Sequence, residues 1–215
     1  MIIKYINDTL DIIESLAIVF AAGTSIYAIN TWKREGLWKK RSDLAEEVLL
    51  NCYDVNNKLG EIRSPGSFPS EGKTRLENTN ENRIEKEIRN WAYVPIERLN
   101  NRREPFLNLE KLKLKCKIYF VPEVLVHIDQ ILNTQNEIIN ASRRFARLSI
   151  EQEKLISIQL HGNENQERIN YLQNQIAEAE AILSEDYFDE DKMKKTVKEC
   201  ISHLEKILLG EINAK

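Results

Sequence analysis

Residues 15 to 32, SLAIVFAAGTSIYAINTW, carry no charge, and five of the nine residues that follow are Lys or Arg. An uncharged run of this length permits three structures: a buried core helix, a cleaved export signal or a membrane anchor. As a helix, its eighteen residues span about 27 Å, against about 30 Å for the hydrocarbon core of a bilayer. Leu10, Ile12 and Ile13 extend the apolar run, Gly23, Thr24, Ser25 and Asn30 dilute it, and Trp32 and Trp38 take the positions of interfacial aromatics. A cleaved signal fits poorly, because Lys4 is set against Asp8 before the run and the alanines make no small-x-small cleavage site after it. The reading is a retained signal anchor over residues 10–32, behind a short extracytoplasmic N-terminus over residues 1–9. Lys33, Arg34, Lys39, Lys40 and Arg41 follow the run, whereas Asp8, Asp11 and Glu14 precede it with Lys4. Basic flanks stay inside, so the predicted topology is single-pass in a bacterial inner membrane, N-terminus out and body cytoplasmic. The basic cluster would then face the inner-membrane lipids.

Ala17, Ala21 and Ser25 recur every four residues and place small side chains on one stripe. That arrangement lets helices approach closely, so self-association by membrane-helix packing at these three residues is the matching expectation. The plain alternative is that small residues are common in such helices.

Beyond residue 32 the pattern is that of amphipathic helices. Only 7 Gly and 5 Pro occur in the chain, so long stretches lack the two strongest breakers. Leu44, Val48, Val55, Leu59 and Ile62 recur at helical spacing and predict a juxtamembrane and first cytosolic helix over residues 33–63, with nothing but Gly36 to break a continuation from the anchor. Residues 64–80, SPGSFPSEGKTRLENTN, cluster Pro, Gly, Ser and Asn and predict a loop. Residues 81–215 form the predicted helical bundle. Ile84, Ile88 and Trp91 begin it, and Pro95 interrupts the pattern. KLKLKCKI alternates as a strand would, yet Leu109, Leu112, Cys116 and Tyr119 share one helix face, which favours helix. Further stripes run through Leu125, Ile128, Leu132, Ile138, Phe145 and Leu148, then Ile169, Leu172, Ile176, Ala179 and Leu183, then Met193, Val197, Ile201, Leu204 and Leu208, with HGNEN as a turn between antiparallel partners. The expected fold is all-α: an N-terminal transmembrane helix followed by an elongated cytosolic helical bundle.

Chemistry is sparse. His127, His161 and His203 stand alone in sequence, without HExxH or a Cys/His pair, so no metal site is expected. GxxxxGK[ST], GxGxxG and GxSxG are absent, and neither a cofactor nor a catalytic residue is assigned. Cys52, Cys116 and Cys200 are dispersed, as reduced core thiols would be. The Arg/Glu-rich EIRNWAYVPIERLNNRREPF, with Trp91, Tyr93 and Arg98, reads as structural ion pairs. Acidic SEDYFDEDK closes one helix and opens the next. One basic cluster stands out: Arg143, Arg144 and Arg147 lie within about one helical turn of each other, beside Phe145. With Lys111, Lys113, Lys115 and Lys117 they are candidates for binding a phosphate-rich polyanion or partner, against the alternative of a solvated face. Net charge is −3, and removing the six basic and four acidic residues of 1–41 leaves 25 against 30, which argues against general DNA binding.

AEEVLLNCYDVNNKLGEIRSP, SEGKT and AYVPIERLNNRREPF resemble segments of bacterial single-pass membrane-anchored helical proteins of unassigned function, over about residues 33–148. This likeness carries over no catalytic residue. In layout alone the chain is similar to membrane effectors of anti-phage systems such as retrons. That analogy implies a non-enzymatic effector of the abortive-infection type, which oligomerises and perturbs the inner membrane when a regulatory protein or ribonucleoprotein partner releases it. The alternative is a constitutive membrane scaffold that tethers a cytosolic partner.

Overall fold

A computed structural model describes the backbone of residues 2–157, 163–185 and 191–213, with side chains from residue 16 onward except 163–165. Among these described residues six helices follow in order: α1 (Ile2–Ile62), α2 (Arg83–Asn101), α3 (Glu104–Tyr119), α4 (Pro122–Ser157), α5 (Asn163–Leu183) and α6 (Lys192–Asn213). The all-α expectation holds, and KLKLKCKI is helical within α3.

The membrane anchor does not hold. Among the described residues no helix is long and apolar enough to cross a membrane. Described side chains begin at Leu16, and from there to Lys33 the stretch is diluted by Gly23, Thr24, Ser25 and Asn30. The transmembrane reading of residues 10–32 and the single-pass inner-membrane topology built on it are therefore corrected. The parts of those readings that rest on the side chains of residues 1–15 lie outside the described residues. What residues 10–32 form instead is the early part of one continuous helix that runs into residues 33–62 through Gly36.

α4 is the spine, its 36 residues spanning about 54 Å. Its first half packs on α3, where Lys113 pairs with Asp129, and on α6, where Cys200 Sγ lies 3.0 Å from Gln130 Oε1. Its second half packs on α2, with Trp91 and Phe145 ring centroids 4.5 Å apart, and on α5, with Arg168 bridging to Glu151 at 2.5 Å. Residues 44–62 of α1 complete the first tier against α3 and α6. There Leu44, Val48, Cys52, Val55, Leu59 and Ile62 present one stripe, and all six are buried. An apolar stripe of this kind removes area from water worth about 25 cal/mol per Å², which is why these helices exist together and not singly. The result is a four-helix tier of α1, α3, α4 and α6, with a second tier of α2, α4 and α5.

Two buried arginines join the tiers. Arg63 donates from Nε to Ile182 O at 2.7 Å and from Nη2 to Ala181 O and Ser184 O at 3.0 Å, and pairs with Asp191 at 2.8 Å. Asp191 in turn accepts from Lys194 N at 2.9 Å and so caps α6. Arg98 donates to Ser64 O at 2.7 Å, Gly66 O at 2.5 Å and both oxygens of Glu71. A guanidinium carries five donors and no acceptor, and helix C-termini leave carbonyls unpaired. Each arginine thus serves a helix end, Arg63 that of α5 and Arg98 the exit of α1.

Two expectations are refined here. Pro95 does not break the periodicity: α2 continues through it. Its missing N–H leaves Trp91 O without the usual helical donor, and one residue on the Ser142 hydroxyl of α4 donates to Ala92 O at 2.5 Å. Residues 64–80 are non-helical but docked. Gly72 sits at φ +77°, its N–H donates to Glu97, and a Cβ there would come 2.0 Å from Asn90 O. Residues 161–162 of the HGNEN turn and 186–190 of SEDYFDEDK lie outside the described residues, while residues 163–165 open α5 and Asp191 caps α6.

Candidate functional site

The arginine cluster divides between two faces of α4. Arg144 turns to α5, where Gln175 accepts from it and Glu178 pairs with it at 2.8 Å. Arg143 and Arg147, one turn apart and exposed, instead line a groove of about 1080 Å³ between α2, α4 and the docked loop. Neither makes a hydrogen bond or ion pair with another described residue. Phe145 is occupied by Trp91.

Opposite these two cations, the loop and α2 contribute Arg75 and Arg89. Arg75 donates from Nε to Asn90 Oδ1 at 2.6 Å and grips Glu81 with both terminal nitrogens, a pair with 8% exposure on each side chain. Arg89 lies 3.5 Å from the same carboxylate. Arg75 therefore holds the Glu81 carboxyl below the usual carboxylate range, mainly by hydrogen bonding. The other acid on the rim, Glu151, is bound to Arg168. Ile96, Ile139 and Ile150 form an apolar floor with Tyr93 beside it. Five cationic and two anionic side chains line this groove, in a chain whose formal charge is −3.

The lysines of α3 do not join it. Lys113 and Lys117 face a separate cleft beside Asp129, while Lys111 and Lys115 face a third, where Lys115 bridges to Glu47 at 3.3 Å. The alternating spacing that looks like one basic strip puts them on different sides of a helix. Tyr93, Arg75 and Arg89 are the residues that sequence reading missed as partners of Arg143 and Arg147. Nothing local marks them, since the loop carrying Arg75 is brought in by Arg98 and Gly72.

A second feature is the arm. Every residue from Leu16 to Asn30 is exposed, and Leu16, Ile18, Val19, Phe20, Ile26, Tyr27 and Ile29 are between 52% and 75% exposed. Ala17, Ala21 and Ser25 share its small-residue face. There the hydroxyls of Ser25 and Thr24 donate back to Ala21 O at 2.7 and 3.0 Å, so this face offers no unused hydroxyl donor. Where the arm meets the bundle, Arg41 bridges to Glu211 at 2.5 Å and lies 5.8 Å from the Phe120 ring.

Among the described residues no group of three or more His, Cys, Asp or Glu side chains is placed to hold a metal. His127 and His203, isolated in sequence, meet as stacked rings 5.0 Å apart between α4 and α6. The three cysteines are buried, and burial pushes the Cys52 thiol up to about 12 and the Cys116 thiol to about 11. No family model matches the chain, and neither does any curated protein or solved structure.

Proposed function

We propose that this chain is a non-enzymatic assembly protein, whose bundle holds out the helical arm so that arms of several copies pack on one another. The single observation behind this reading is the exposure of the arm's apolar residues around its whole circumference. A helix apolar on all sides requires cover from outside itself, and one flanking helix covers only part of it. Copies of the same arm meet that need in stoichiometric supply. The flanks favour an antiparallel arrangement. Asp8, Asp11 and Glu14 lie before the apolar run, and Lys33, Arg34, Lys39 and Lys40 lie after it. Two helices crossing antiparallel near Gly23 bring position 14 level with 33 and position 8 level with 39, acid against base each time. A parallel arrangement would gather like charges at both ends. Close approach at the crossing uses the face of Ala17, Ala21 and Ser25.

Without the anchor, the effector and scaffold readings share this core: a protein that acts by assembling, under the control or in the service of a protein or ribonucleoprotein partner. The membrane-perturbing step falls with the anchor. Sedimentation velocity tests the assembly. The full chain is expected as an oligomer, and Ala21→Glu as a monomer of unchanged helicity. A full chain that stays monomeric at every attainable concentration overturns the proposal.

A further inference from the structure

We infer that the groove between α2, α4 and the docked loop binds a nucleotide, with its phosphates on Arg143 and Arg147 and its base on the apolar floor beside Tyr93. Three observations converge. First, Arg143 and Arg147 are exposed on one face of α4, one turn apart, and make no bond to another described residue. A structural guanidinium in this molecule looks different: Arg63 and Arg98 are saturated by carbonyls and carboxylates.

Second, the carboxylates that would compete with an anion are already engaged. Arg75 holds Glu81, and Arg168 holds Glu151. Arg89, 3.5 Å from Glu81 and 45% exposed, adds positive charge from the opposite wall. The groove therefore presents surplus positive charge from two sides, in a chain that is acidic overall, and phosphate oxygens match guanidinium forks bidentately.

Third, the groove is not only a charged surface. Ile96, Ile139 and Ile150 give it an apolar floor, and Tyr93 stands at that floor. Inorganic phosphate has no use for such a surface, whereas a planar base has. A bare polyanion would use the arginines and leave the floor in water. An acidic peptide would use both less economically, since each carboxylate carries less charge than a phosphate.

Isothermal titration calorimetry on the full chain tests this with ATP, GTP, inorganic triphosphate and a single-stranded RNA oligomer as probes. The expected result is saturable binding of at least one of the two nucleotides, tighter than triphosphate by about tenfold or more because of the base. In Arg143→Gln/Arg147→Gln that affinity should fall about 100-fold, as two charge-assisted contacts are lost. Arg144→Gln, in the same segment but facing α5, should bind as the parent does and so controls for folding. Ile96→Asn should weaken nucleotide and leave triphosphate unchanged. The inference is overturned if neither nucleotide binds, or if the double variant binds as the parent does. It is equally overturned if Arg144→Gln loses binding to the same extent, if triphosphate binds as tightly as the nucleotide, or if RNA binds more tightly than either.

Discussion

Val48 and Phe20 stand on the same unbroken helix, yet Val48 is fully buried and Phe20 is 75% exposed. Residues 44–62 carry their apolar side chains on one stripe, with Glu46, Glu47, Asp54 and Lys58 on the other faces. The stripe finds α3 and α6. Residues 16–30 are exposed throughout, with large apolar side chains among them, and no other described helix covers them. Both halves are helical for the same backbone reasons, so what separates them is only whether this chain supplies the cover. A periodic apolar stripe announces a bundle partner within the molecule. An apolar run without period announces a need for cover and leaves its source unstated.

Placing a charge in each half breaks the comparison most severely. Val55→Asp buries a carboxylate with no partner, at a cost of several kcal/mol, comparable with the whole stability of a domain. That variant is expected to lose its cooperative thermal transition in circular dichroism. Ile18→Asp, in the arm, should leave the melting temperature of the bundle where it was. If both variants unfold, the arm is part of the folded core and the division drawn here is wrong.

Two arginines at the ends of the bundled segment, Arg41 in α1 and Arg63 just past its last turn, sharpen it at smaller scale. Arg63 and Asp191 are 3% and 2% exposed, whereas Arg41 and Glu211 are 32% and 30% exposed. Arg63→Met strands a buried carboxylate and the three carbonyls of Ala181, Ile182 and Ser184 at the end of α5, and is expected to cost about 3–5 kcal/mol in denaturant unfolding. Arg41→Met breaks a solvent-screened pair and should cost less than about 1 kcal/mol. Equal losses would contradict the burial contrast between the two ends of the bundled segment.

The smallest effect is in acid. Arg98 beside Glu71, and Arg75 beside Glu81, hold both carboxyls below the usual range. A folded-state value below the unfolded one contributes stability that is complete above the ordinary carboxylate value of about 4.3 and is lost as pH falls through it toward the folded value. The docked loop should therefore become susceptible to an acid-active protease below about pH 4, while the helical signal persists. A loop equally protected at pH 3 and pH 7 would show that these pairs do not hold it.

Much of the bundle was legible because burial and periodicity are the same fact. The stripes through Leu44 to Ile62, Leu109 to Cys116 and Met193 to Leu208 are buried as their spacing demands. Pro95 misled, because a helix tolerates proline where a neighbour such as Ser142 attends to its carbonyls. The anchor misled because length and the lack of charge in residues 15–32 do not by themselves amount to enough apolarity. The site was half legible. Arg143, Arg144 and Arg147 were visible as a cluster, but sequence adjacency says nothing about faces. The division that sends Arg144 to Glu178 and leaves Arg143 and Arg147 in a groove follows from which helices flank α4. Arg75 reaches that groove because the Arg98 network docks its loop, and Tyr93 because α2 packs on α4, both of which depend on residues far apart in the chain.

Disulfide mapping of the arm tests the assembly most directly, because Cys52, Cys116 and Cys200 are buried with raised thiol values and stay silent under mild oxidation at neutral pH. Antiparallel arms in the register that levels 14 with 33 cross between Gly23 and Thr24, and predict that Thr24→Cys forms a disulfide dimer while Ala21→Cys, its two copies about 7.5 Å apart along the axis, does not. The same register separates the two copies of residue 17 by about 20 Å along the axis and those of residue 28 by about 14 Å, too far for a disulfide. Ala17→Cys and Ala28→Cys should therefore link to each other when the two variants are mixed, and neither should link to itself. No dimer at any of these positions, or Ala17→Cys linking readily to itself, would contradict antiparallel arms as the means of assembly.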